Sequence, residues 1–303
     1  MRKLLTAVST AMLPMAAAAE VPSVVTDIPV VQSLVAQVMG DLGTPAVIVP
    51  TGSDPHDFQL RPSQARALAT AGVIVWIGPE MTPWLSAAVA TSGAAVPVAL
   101  LDAPGTEVRI YGAEDHADET AGHDARGHDH AGGSRDPHAW LDPDNARLWV
   151  LAIAEALAAQ DTDNAATYRA NAERAAQDIA ALDSALGARA KGLTQGMVTG
   201  HDAYGYLAAH YGLPILASLS EGDAAAPGAA RMTAIRDLID SGGVACVFPE
   251  AGHDPKAVIT LTEGTGAKIG APLDPEGIAI APGAGLYAEL MTALIDSIAD
   301  CAG

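Results

Sequence analysis

Three histidines stand in stiff polar turns, each beside the end of an apolar run or the start of a helical one. His56 lies in Gly52-Ser-Asp-Pro-His56-Asp-Phe, His138 in Asp136-Pro-His138-Ala-Trp-Leu-Asp-Pro, and His201 in Thr199-Gly-His201-Asp-Ala-Tyr-Gly-Tyr. Asp274 holds a similar place in Pro272-Leu-Asp274-Pro-Glu-Gly. Three imidazoles and one carboxylate make a tetrahedral donor set that suits Zn²⁺, with bonds of about 2.0–2.2 Å. Taken singly, each histidine would suit a loop or a core as well as a metal, so the chemistry rests on the four converging. Pro55, Pro137, Pro143 and Pro275 stiffen the flanking turns and reduce the backbone freedom lost when a ligand binds.

The chain has nine histidines. Four of them, His116, His123, His128 and His130, fall within residues 114–133, a stretch of Asp, Gly and His without a large apolar side chain. Such a segment cannot bury a core, so a mobile loop is expected, and histidines beside acids suit auxiliary metal capture. His210, in Ala-Ala-His210-Tyr, lies on a helical face and reads as structural. His253, in Ala-Gly-His253-Asp-Pro, follows a strand end, where it is either a plain loop histidine or a residue at the mouth of a site.

Convergence needs elements that end at one place. Short apolar strands are predicted at 21–26, 46–49, 73–77 and 96–101, separated by helical patterns at 30–39, 63–70 and 83–90. The rhythm returns after residue 195, with strands at 197–199, 215–217, 245–248 and 268–271. Helices there are predicted at 203–211, 229–241, 255–263 and 286–299. Between the two series, residues 144–191 are helical in pattern and lack proline, broken only near 160–164. Leu182, Leu186 and Leu193 mark one face of a long helix beginning near Asn164. The expected fold is α/β, with two parallel-sheet lobes joined by one long helix. In open parallel sheets, ligands collect beyond the carboxyl ends of the strands, which places the metal site at the lobe interface. The expected organisation is a signal peptide at 1–19, an N-terminal lobe at 20–163, a linking helix at 164–191 and a C-terminal lobe at 192–303.

Composition narrows the function. The chain has 303 residues, half of them hydrophobic, and a formal charge of −20. That length favours two lobes, and that charge repels phosphate backbones and anionic headgroups, which excludes nucleic acid as a partner. Arg2 and Lys3, an apolar stretch over 4–15 and Ala17-Ala18-Ala19 read as a cleavable secretory signal. No cysteine follows the cleavage site to carry a lipid anchor, so a soluble, exported protein is expected. In an oxidising compartment its two cysteines, Cys246 and Cys301, are expected to form a structural disulfide, contributing roughly 4 kcal/mol on the chain-entropy model.

Together, the motifs around His56 (through Gln-Leu-Arg-Pro-Ser63), His138, His201 and Asp274 resemble those of the zinc/manganese solute-binding proteins of bacterial ABC transporters, the cluster A-I family. The resemblance covers essentially the whole mature chain. It implies two (βα)-repeat lobes bridged by a long helix, with His56, His138, His201 and Asp274 holding one transported Zn²⁺ between them. His201 followed by Asp-Ala-Tyr is similar to zinc members, whereas manganese members usually carry Glu there. The resemblance also implies a periplasmic location, delivery to an ABC-transporter permease, and the Cys246–Cys301 bridge. A monomer is expected, with a periplasmic metallochaperone as a further candidate partner. A manganese-binding or adhesin-type member of the family is the alternative. A periplasmic zinc hydrolase using Asp274 or Glu250 as base is the rival from another class, but neither His-Glu-x-x-His nor a nucleophile motif occurs. No catalytic residue is therefore assigned, and the roles of Glu250 and His253 stay open.

Overall fold

The computed structural model describes residues 21–56, 58–93, 95–111, 134–220 and 228–303. The expected signal peptide and the 114–133 segment, with His116, His123, His128 and His130, lie outside the described residues.

The first series of apolar runs forms β1 (Val24–Thr26), α1 (Pro29–Met39), β2 (Ala46–Val47), α2 (Pro62–Thr70), β3 (Val73–Trp76), α3 (Ser86–Thr91) and β4 (Val96–Ala99). All pairings in its sheet are parallel, in the order β2-β1-β3-β4. β3 is buried throughout, as a strand covered on both faces must be.

α4 (Pro143–Gln160) and α5 (Ala165–Ala190) follow. Pro143 opens α4, and the Asp142 carboxylate accepts the Asp144 N–H at 2.9 Å, capping one of the amides a helix start leaves unpaired. α5 has 26 residues and is about 39 Å long. Its buried residues Tyr168, Asn171, Ala172, Ala175, Ile179, Leu186 and Ala190 form one stripe, and the stripe packs on α1, α4 and the C-terminal helix α9 (Leu286–Ala302).

The second series is β5 (Gly196–His201), α6 (Gly205–Tyr211), β6 (Ile215–Ser220), α7 (Ala229–Asp240), β7 (Val244–Val247), α8 (Lys256–Thr262) and β8 (Lys268–Ile269), before α9. Its sheet is also wholly parallel, in the order β6-β5-β7-β8. α6 stops at Gly212, whose left-handed conformation (φ +67) ends the helix without a Cβ clash.

The halves are fastened at several points besides α5. α9 packs against both α1 and β7. The Ser33 hydroxyl donates to the Ala284 carbonyl at 3.0 Å and accepts the Tyr287 N–H at 3.1 Å. Within the second half, Cys246 on β7 and Cys301 on α9 are disulfide-bonded, closing a sequence separation of 55. Among the described residues, no helix is long and apolar enough to cross a membrane.

Candidate metal centre

Each half presents its chemistry at the carboxyl ends of its strands. His56 lies beyond β2, in a loop turned at Gly52, which has φ +79. The His56 N–H donates to the Asp54 carboxylate at 2.8 Å, and Trp84 Nε1–H clamps the Pro55 carbonyl at 2.9 Å. His138 precedes α4. Its Nδ1 faces Asp136 Oδ1 at 2.8 Å, and the same oxygen accepts the His138 backbone N–H at 2.9 Å. The strand-like run around Asp136 is held by Asp136 N–H on the Arg109 carbonyl at 2.9 Å and by the Tyr206 hydroxyl on the Asp136 carbonyl at 3.0 Å.

His201 is the last residue of β5, so the strand runs further than its apolar core alone predicts. Its Nδ1 meets Glu250 Oε2 at 2.5 Å, and both side chains are buried. Gly200 makes that contact feasible: a Cβ there would lie 2.7 Å from Glu250 Oε2 and 3.0 Å from its Cβ. With Asp136 and Glu250 each accepting from an Nδ1–H, both rings turn their Nε2 lone pairs inward, as a carboxylate–histidine pair does for a metal.

The structure brings His56, His138 and His201 together with Glu276, each offering one ligand atom, all within 4.8 Å of one another. His138 Nε2 and His201 Nε2 are 3.4 Å apart. Glu276 Oε1 lies 3.8, 3.8 and 3.6 Å from the Nε2 atoms of His56, His138 and His201. A tetrahedron with bonds of 2.0–2.2 Å has edges of about 3.3–3.6 Å, so these four edges are within a few tenths of an ångström of that figure, and the two from His56 to the other imidazoles are no longer than 4.8 Å. The donors are dry: His138 is 0%, Glu276 4% and His201 5% exposed. Glu276 Oε1 is buried without a hydrogen-bond partner, which is costly unless a cation sits beside it. Burial would push this carboxyl up, but its interaction with His56 and the charges of His201 and His138 outweigh that and hold it below the ordinary range.

The fourth corner differs from the sequence expectation. Asp274 does not enter the group. Its Oδ1 accepts the Ile278 N–H at 2.9 Å and its Oδ2 the Ala279 N–H at 2.8 Å, so both oxygens are spent folding the loop. Gly277 (φ +73) completes that reversal. Trp140 Nε1–H anchors the loop at the Pro275 carbonyl (2.8 Å), and the Gly52 N–H reaches the Ile278 carbonyl across the seam at 2.8 Å. An Asp whose side chain caps its own turn before a Pro-x-Gly is a recognisable signal, and it would have passed the inward role to Glu276.

A small cavity of about 10 Å³ borders the group, lined by Asp54, His56, His201, Glu250, His253 and Glu276 among others. It has room for one water-sized body. A larger cleft of about 360 Å³ is lined by Asp136 and Tyr204 among others, but by none of the four candidate donors. His210 stands apart from the cluster, with Nδ1 3.0 Å from Asp142 and Nε2 2.9 Å from Asp183. The Asp142 contact, joined by Asp183 and opposed by burial, pushes its imidazole up to about 9. An imidazolium between two carboxylates is an ion-pair clamp, so His210 with Asp142 and Asp144 does not make a second metal group.

Two α/β lobes with three imidazoles and a carboxylate closing on one point in the seam define a metal-binding solute-binding protein. The comparisons agree. The family model for the periplasmic zinc-uptake complex component A matches residues 24–301, and the chain belongs to that family. It is 50% identical to the high-affinity zinc uptake system protein ZnuA of Paracoccus denitrificans, covering 98% of this chain and 96% of that one. The protein of the same name from Brucella abortus is 35% identical, over 94% and 92% of the two chains. Among solved structures, a mutant of the laminin-binding adhesin Lmb from Streptococcus agalactiae superposes with a TM-score of 0.77 over 93% of this chain and 100% of that one. At 21% identity that likeness concerns the fold alone.

Proposed function

We propose that this protein captures Zn²⁺ in the periplasm with His56, His138, His201 and Glu276, and hands it to the membrane permease of an ABC transporter. The observation that carries the reading is the convergence of three imidazole nitrogens and one carboxylate oxygen, all within 4.8 Å of one another and four of the six spacings at 3.4–3.8 Å. Three nitrogen donors and one oxygen favour Zn²⁺ over Mn²⁺, which prefers a larger set of oxygens. A closed set of four protein donors leaves no position for an activated water, so it suits holding and transfer rather than hydrolysis. Family membership and the relatives' zinc-uptake names support the same direction.

Chelator-competition titration of zinc tests the assignment. His138→Ala or His201→Ala should weaken binding by orders of magnitude. Glu276→Gln should weaken it far more than Asp274→Asn, whose effect is confined to the loop. Wild-type affinity in the histidine variants would reject the site, and the reverse order of the two carboxylate variants would return the fourth corner to Asp274.

A further inference from the structure

The cavity beside the cluster is lined mostly by buried and half-buried residues, and one of its lining residues is exposed. Of the residues lining it, His201, Glu250, Glu276, Pro55 and Ile278 are buried and Asp54, His56 and Ala251 are half-buried, while His253 is exposed. His253 sits at the end of the turn that leaves β7. Its N–H closes on the Glu250 carbonyl at 3.2 Å, and the turn passes through Gly252 at φ +81. That turn is seated against the wall of the cavity, since a Cβ on Gly252 would lie 3.0 Å from the Ile278 Cδ1. The same four-residue turn thus carries Glu250, which aims His201, and His253, the exposed member of the cavity lining. An incoming cation must shed water before it reaches four dry donors, and an imidazole at the rim can replace one water while the others are still in place.

We propose that His253 is a transient ligand at the mouth of the site, taking Zn²⁺ on its way in and on its way out, and absent from the final coordination. This rests on the zinc-capture reading above. A group that contacts the ion only in passage stabilises the transition state common to both directions. Its loss therefore slows capture and release by the same factor and leaves the equilibrium unchanged.

Stopped-flow mixing with chelator-buffered zinc gives the capture rate, and challenge of the loaded full-length protein with excess chelator gives the release rate. In His253→Ala and His253→Gln, both rates should fall together by about tenfold, with Kd unchanged. His253→Asp, which restores a donor, should recover most of the rate. Unchanged rates in the Ala variant would overturn the proposal. So would a weaker Kd with faster release, because His253 would then belong to the bound coordination. Failure of the wild type to bind one zinc tightly would instead strike the underlying function.

Discussion

The contact between Glu250 and His201 offers a sharp test, because it can be broken at Glu250 or at Gly200 without replacing a donor. Glu250 Oε2 lies 2.5 Å from His201 Nδ1, with both side chains nearly dry. The carboxylate fixes the ring's tautomer and raises the basicity of the Nε2 that faces the cluster. Losing such a partner costs about 10–100-fold in metal affinity, equivalent to about 1.4–2.7 kcal/mol. Glu250→Gln keeps an acceptor and removes only the charge, so it belongs near tenfold. Glu250→Ala also leaves a buried N–H without a partner, a further cost to the folded protein of about 1–3 kcal/mol, and belongs near a hundredfold. Gly200→Ala should imitate these variants, because its Cβ would have to occupy space 2.7 Å from Glu250 Oε2. The readouts are zinc affinity by chelator competition and the thermal midpoint of the metal-free protein, which reports whether the fold survives. Wild-type affinity in both Glu250 variants, with the fold intact, would refute the claim that Glu250 aims His201.

The His210 clamp makes stability pH-dependent. Its imidazole is raised from 6.5 to about 9, so its contribution is full below about pH 6.5 and is lost as pH rises through about 9. A shift of that size on a partly exposed group amounts to roughly 1–2 kcal/mol after solvent screening. The difference in denaturation midpoint between wild type and His210→Gln should therefore be large at pH 6 and vanish near pH 10, and a pH-independent difference would contradict it. Replacing both Cys246 and Cys301 by Ala frees a 55-residue separation and should lower stability by about 4 kcal/mol on the chain-entropy model, read by denaturant titration against the oxidised wild type. Trp140→Phe removes the donor to Pro275 and should destabilise the fold by about 1–3 kcal/mol while loosening the loop that carries Glu276. Unaltered zinc affinity in that variant would show that the anchor does not position the donor.

Much of the fold was legible because each signal was local. The apolar runs of a parallel sheet stand out in sequence, and the eight strands fall within a few residues of their predicted places. α5 was visible because Asn164 precedes a long proline-free stretch. His56, His138 and His201 were legible because each stands in a proline- or glycine-stiffened turn at an element boundary. Glu276 was not, because two carboxylates two residues apart follow the same strand, and periodicity cannot tell which one faces inward. The turn chemistry of Asp274 before Pro275 and Gly277 is the one local cue, and the hydrogen bonds of Asp274 to Ile278 and Ala279 bear it out. The partners of His210 were hidden for a different reason: Asp142 and Asp183 lie far away in sequence, and helix packing alone brings them to α6.

The four donors divide evenly between the halves, with His56 and His138 before the long helix and His201 and Glu276 after it. On the proposed ligand set, a bound ion would also be a bond between the lobes, and its binding energy would be shared with whatever holds them together. By reciprocity, any partner that grips the lobes better when they are spread must loosen the ion by the same factor by which the ion weakens its grip. A docking face spanning both halves would thus tell loaded protein from empty and, in the same act, prise the cargo free.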